Sequence, residues 1–243
     1  MNLILLEQGD LRADGTARLD GRRAVHVREV LRPAPGDSLR VGVAGGSLGT
    51  GEVLSLAGGE VVLRVVLDRA PPPRSRVDLL LALPRPKILR KVLHAAASMG
   101  IGRVVLLGSY RVEKSYFGSP LLAPAALEAE LRLGLEQGRD TIAPEVLVRR
   151  FFKPFVEDEL DALSAGAQRL LAHPEAAASL EALSPAAGRA LVAIGPEGGW
   201  TPYEAAELER RAFAPFSLGP RVLRVDAAVP YLAGQVELWL RRR

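Results

Sequence analysis

The rhythm of apolar and polar positions changes once along the chain, close to residue 70. Before that point short apolar runs are broken by glycine pairs, which predicts strands over residues 3–6, 37–43, 51–56 and 60–67, with turns at Gly45-Gly46 and Gly58-Gly59. A small barrel follows from that pattern, interrupted by one helix over 22–31 that stops before Pro33. After it the apolar runs lengthen and alternate with helical ones. Strands are predicted at 77–83, 103–107, 145–149, 169–172, 191–194 and 215–218, and helices at 87–99, at 124–137, from Pro202, and from Asp226 to about 240. Alternation of this kind predicts a parallel sheet flanked by helices, an α/β fold. Pro230 is assigned to the first turn of the last helix, where proline costs least. Ala95-Ala-Ala97 and Ala176-Ala-Ala178 read as close helix packing. The run Ala70-Pro-Pro-Pro-Arg-Ser75 fits neither pattern and sets a boundary between domains at 1–70 and 71–243.

Two glycine-rich turns stand out in the second half. Gly195, Gly198 and Gly199 follow the apolar run 190–194, and the helix after them has a full set of start signals: Thr201 and Glu204 form a capping box, and Pro202 occupies the first helical position. Three glycines in five positions let backbone N–H groups approach a ligand without a side chain in the way. The spacing matches neither a dinucleotide fingerprint nor a phosphate loop. A second turn, Ser217-Leu-Gly-Pro220, leads through Arg221 and Arg224 to Asp226, a residue suited to cap the last helix. Glycine is also the usual residue of tight αβ connections, so the glycines alone leave a purely steric reading equally open.

Composition narrows the function classes. The chain has 243 residues, 48% of them hydrophobic, with no long uninterrupted apolar stretch, so a membrane span is not expected. The start lacks a basic leader, which leads us to expect a cytoplasmic address. There is no cysteine, and His26, His94 and His173 lack metal-ligand spacing, so no metal is expected. His26 reads as a packing or surface residue. The net charge of +4 is unevenly spread: residues 73–153 carry fourteen basic against seven acidic side chains. Such a bias attracts nucleic-acid phosphates, although arginine-rich coding bias gives the same excess.

The pairing of Ile194-Gly-Pro-Glu-Gly-Gly199 with Leu218-Gly-Pro-Arg-Val-Leu-Arg224 resembles the carboxyl-terminal signature of the RsmE-type RNA methyltransferases of the SPOUT superfamily. Weaker matches fall in the same order upstream: Lys87, Lys91 and Gly100, then Arg111, then Glu136-Gln137-x-Arg139 with Pro144. His26-x-x-x-Val30-Leu-Arg32 with Gly36-Asp37 resembles that family's PUA-like barrel. The resemblance covers nearly the whole chain. It implies a PUA-like β-barrel joined to a SPOUT α/β domain with a trefoil knot, acting as a homodimer. The implied activity is S-adenosylmethionine-dependent methylation of N3 of a uridine in 16S ribosomal RNA, with the RNA or the 30S subunit as partner. The chain departs from the family where Asp226-Ala227-Ala228 replaces Glu-Thr-Ala, where Ala97-Ser98-Met99-Gly100 replaces Thr-Glu-Leu-Gly, and in lacking an amino-terminal arginine pair.

Carried over by position, the cofactor site comprises Leu171, Ala172, His173, Pro174, Ile194, Gly195, Pro196, Glu197, Gly198, Gly199, Ser217, Leu218, Gly219, Val222, Leu223, Arg224 and Ala228. RNA contacts fall to Arg22, Arg32, Lys87, Lys91, Arg111, Lys114 and Arg139. The chemistry removes the uracil N3 proton and must stabilise negative charge on O2 and O4, a task suited to the Arg224 guanidinium. Asp226 and Glu197 are the candidate proton acceptors, with solvent as the alternative. Two other readings remain open: a SPOUT enzyme for another RNA site, and a ribosome-binding protein without turnover.

Overall fold

The computed structural model describes residues 2–242. They form two compact units. The first runs to Pro73 and also takes in Arg132–Ala143; the second holds Arg74–Leu131 and the chain from Pro144 onward.

The first unit is a curled five-stranded sheet in the order β1-β3-β4-β5-β2. Its strands are β1 (Ile4–Leu6), β2 (Thr16–Leu19), β3 (Ser38–Val43), β4 (Leu48–Ser55) and β5 (Val61–Arg69). β1 lies parallel to β3, and the remaining pairs are antiparallel. Register shifts at Leu48/Gly49 and Val53/Ser55 mark irregularities of the kind that bends a strand. Gly49 is required there, because a Cβ would fall 1.8 Å from the Val66 carbonyl oxygen. Inward-facing Leu6, Leu19, Val41, Val53 and Leu63 form the core. The helix α1 (Gly21–His26) continues into a wider π-helical turn over Val27–Leu31, so the single expected helix is two unlike pieces. Residues 132–143 are joined to this unit by the Asn2 N–H on Glu136 O at 2.9 Å and the Gly45 N–H on Thr141 O at 2.8 Å.

The second unit is a six-stranded, wholly parallel sheet in the order β11-β9-β10-β6-β7-β8. Its strands are β6 (Val77–Ala82), β7 (Arg103–Leu107), β8 (Glu145–Arg149), β9 (Gln168–Ala172), β10 (Ala190–Ile194) and β11 (Ala214–Phe216). β6 and β10 are buried at every residue, as apolar runs covered on both faces require, whereas edge strand β8 is partly exposed along its length. The helices are α2 (Pro86–Ser98), α3 (Pro124–Gly138), the short α4 (Phe152–Pro154) and α5 (Leu160–Leu163), α6 (Pro202–Arg210) and α7 (Val225–Leu240). α3 begins in the second unit and ends in the first. α2 packs along α7, with Ala96 and Ala97 fully buried, while Ala176–Ala178 lie in the loop after β9 and not on a helix. Among the described residues no helix is long and apolar enough to cross a membrane.

Two helix-end expectations are corrected. Arg224, not Asp226, is the N-cap of α7, and Asp226 is its second residue. Pro230 is consequently the sixth residue of the helix and lies inside it, where it withholds the N–H that the Asp226 carbonyl would otherwise accept.

Candidate functional site

Strands β9, β10 and β11 end side by side, and both glycine turns leave from those ends, the usual place for a ligand in an open parallel sheet. The first turn is tightly held. Gly199 has φ +74° and donates its N–H to Pro196 O at 2.8 Å. Trp200 is buried beneath the turn: a Cβ on Gly195 would fall 3.2 Å from the indole Nε1, and Phe152 lies against the ring at 6.1 Å between centroids. The expected capping box is present, with the Thr201 N–H on Glu204 Oε2 at 2.9 Å and the Glu204 N–H on Thr201 Oγ1 at 3.2 Å. Glu204 is only 3% exposed and also accepts the Tyr110 N–H at 2.8 Å. Arg111 completes the bracing, its Nη1 donating to Gly198 O and, at 3.4 Å, to Trp200 O.

The second turn is held by little. Ser217 donates its N–H to Ala178 O at 2.9 Å and its hydroxyl accepts the Gly219 N–H at 3.2 Å. From Gly219, at φ +113°, to Arg224 every residue is exposed. The Arg224 side chain makes no capping bond, and its Nε stands 3.7 Å from Asp226 Oδ1.

Between the turns lies a cavity of about 590 Å³. Its lining includes fifteen of the seventeen residues expected at a cofactor site. The two missing are Leu171, buried inside β9 at 1% exposure, and Gly198, whose open side is taken by Arg111. The lining also includes Trp200, Phe216, Tyr231 and Leu232, which sequence reasoning missed. Helical spacing carried a usable signal: Tyr231 and Leu232 lie three and four residues beyond Ala228 on α7. Trp200 Nε1 is buried and has no hydrogen-bond partner among the described residues.

Asp226 is not among the cavity residues. Its carboxylate is bonded to Lys91 Nζ at 2.8 Å, and that hydrogen bond holds its pKa below the ordinary carboxylate value. The bond to Lys91 therefore sets Asp226 apart from the cavity in which the expected proton acceptor would act. Glu197 is the only carboxylate in the lining, with its side chain 45% exposed and Arg85 Nε 4.0 Å away.

A family model described as an RNA methyltransferase domain matches residues 71–237. The chain belongs to this RNA methyltransferase family. Across its whole length it is 29% identical to the ribosomal RNA small subunit methyltransferase E of Treponema pallidum, covering 94% of that relative. Identity is 28% to the protein of the same name from Mycobacterium bovis, over 90% of this chain and 85% of that one. In fold it matches the crystal structure of a ribosomal RNA small subunit methyltransferase E from Neisseria gonorrhoeae bound to S-adenosyl methionine, with a TM-score of 0.78 at 18% identity over 98% of both chains.

In this RNA methyltransferase chain the seven residues expected to touch RNA are not one set. Lys87 and Lys114 in the second unit and Arg139 in the first have exposed side chains. Arg22 forks onto Glu136 with bonds of 3.0 and 2.7 Å, inside the first unit. Arg32 has φ +50° and caps the preceding turn through Nε on Glu29 O at 2.8 Å. Lys91 holds Asp226, and Arg111 holds the first glycine turn. Each of these four has an internal task that the sequence did not reveal, because each partner but that of Arg32 lies far away in the chain. Among the described residues no group of His, Asp and Glu side chains is arranged to hold a metal ion.

Proposed function

We propose that this protein is an S-adenosylmethionine-dependent methyltransferase acting on N3 of a uridine in the 16S ribosomal RNA of the small subunit. The observation that carries this reading is the single cavity in which the two glycine turns of the family signature face each other across the ends of β9, β10 and β11. Its volume, about 590 Å³, lies within the roughly 300–1,000 Å³ of small-molecule sites. The residues fit the cofactor chemically. Ile194, Leu218, Leu223 and Leu232 give apolar walls, the glycines leave backbone groups open, and the orphaned Trp200 N–H offers a buried donor. Ala172–Pro174, Gly195–Gly199 apart from Gly198, and Ser217–Leu223 would hold the cofactor, which when bound supplies an electrophilic methyl group on a sulfonium.

The chain's own residues handle charge and proton. Arg224 stands at the cavity with its side chain 69% exposed, placed to oppose the negative charge that uracil O2 and O4 acquire when N3 is deprotonated. Glu197 takes the proton, since Asp226 is committed to Lys91. Residues 1–70, with the 132–143 segment that belongs to the same unit, serve as a PUA-like RNA-docking domain, and the remainder of 71–243 as a SPOUT domain with a trefoil knot. The protein works as a cytoplasmic homodimer on ribosomal RNA or the 30S subunit, with Lys87, Lys114 and Arg139 meeting phosphate.

The test is methyl transfer from labelled S-adenosylmethionine to small ribosomal subunits lacking the modification, with the nucleoside identified by mass spectrometry. N3-methyluridine is the expected product. The replacement of Glu-Thr-Ala by Asp226-Ala227-Ala228 favours one second reading, a SPOUT enzyme for another RNA site, which a different labelled nucleoside would identify.

A further inference from the structure

We infer that Arg111 is a positioning residue that sets the shape of the cofactor turn, and that it does not contact RNA. The inference rests on the proposal that the cavity takes S-adenosylmethionine. Arg111 leaves the segment just after β7 and reaches the turn after β10, although β6 lies between those two strands in the sheet. It donates to two carbonyls of that turn, Gly198 and Trp200, and thereby fixes the direction of the 198–199 and 200–201 peptide units, which bracket Gly199 and Trp200. Those carbonyls face Arg111, and Gly195, Pro196, Glu197 and Gly199 face the cavity. The stem of Arg111 lies directly on Gly198, where a Cβ would come within 3.2 Å of Cδ. Gly198 is not in the left-handed region, so its lack of a side chain answers to this contact and not to backbone strain. The neighbouring residue ties down the other end of the turn, through the Tyr110 N–H on Glu204.

A turn held in shape beforehand spares the ligand the cost of ordering it. Loss of Arg111 therefore weakens cofactor binding, and leaves RNA binding unchanged. A phosphate contact predicts the reverse, because a lost cation weakens RNA binding and flattens its salt dependence.

Arg111→Ala, Gly198→Ala and their double variant are compared with the full-length protein by calorimetry with S-adenosylmethionine and by filter binding to small-subunit ribosomal RNA, with melting curves to verify folding. Arg111→Ala is expected to bind the cofactor about tenfold more weakly, as the loss of charge-assisted hydrogen bonds predicts, and to keep its RNA affinity and salt slope. Gly198→Ala, which displaces the arginine stem, should reproduce the defect, and the double variant should be little worse than either alone. Arg111→Lys should recover only part of the affinity, since one ammonium replaces a planar donor fork. Cofactor affinity equal to wild type in Arg111→Ala, or a loss confined to RNA, would overturn the inference while the functional reading stands. Absence of any cofactor binding by the wild-type protein would overturn both.

Discussion

The two glycine turns look alike in the sequence and differ in physical state. The turn at Gly195–Gly199 is surrounded by side chains from three other segments: Arg111 on its carbonyls, Trp200 and Phe152 beneath it, and Glu204 collecting three N–H and O–H donors at its exit. The turn at Gly219–Arg224 projects into solvent and is tied only at its ends, by Ser217 and by the first turn of α7. A rigid wall and a loosely held wall thus enclose one cavity. The rigid one is suited to define a small ligand, and the loose one to adjust when a larger substrate arrives.

That contrast can be broken or sharpened by substitution. The largest effect is expected at the loose wall, in turnover and not in folding: Arg224→Ala should reduce methyl transfer by about a hundredfold or more while the melting temperature and cofactor affinity stay near wild type. Full turnover in that variant would remove Arg224 from the chemistry. At the rigid wall the effect should appear in stability. Glu204→Ala removes a buried carboxylate that accepts from the Tyr110 and Thr201 N–H groups and should cost about 2–3 kcal/mol in denaturant unfolding. An unchanged midpoint would mean that the turn is not braced as described. Gly219→Ala meets no neighbouring atom, so its cost comes from the φ of +113° alone and should be about 1 kcal/mol.

The smallest effect is expected at the joint between the loose turn and α7. Asp226 has a folded pKa below its ordinary value of 3.8 because Lys91 donates to it. The pair therefore adds stability above about pH 4 and loses it as the pH falls through the folded pKa. Lys91→Ala should melt slightly below wild type at pH 7, and the two curves should converge on acidification; a gap that persists at low pH would mean that the lysine acts by packing alone.

The parts of this molecule that the sequence made legible are those governed by near neighbours. All six parallel strands were predicted within a few residues, and the clearest of them, β6 and β10, are buried at every residue and so written as near-continuous apolar runs. The capping box at Thr201 needs only a spacing of three, and it was found where the structure has it. β2 was missed because Thr16–Leu19 is a short edge strand set among polar residues, and the helical stretch from Phe152 to Leu163 because its π-helical middle breaks the helical period. What stayed hidden at the site is of a different kind. Nothing in the neighbourhood of Arg111, Lys91 or Arg22 announces a partner 87, 135 or 114 residues away, and an unpaired arginine or lysine in a sequence reads as a phosphate contact. Leu171 and Gly198 were included because a motif is copied as a block, while a wall uses only the side that faces the ligand.

The membership of residues 132–143 in the first unit bears on how the chain is made and inherited. A ribosome that has just released Pro73 has synthesised every strand of the first sheet, yet the backbone donors on Asn2 and Gly45 still await acceptors at Glu136 and Thr141, some 60 residues from being translated. The amino-terminal sheet therefore completes late, during or after emergence of the first two strands of the other sheet, and folding cannot proceed strictly from one end. For the same reason a single genetic crossover near residue 73 would not transplant a whole module: the recipient would receive a sheet lacking the segment that finishes it.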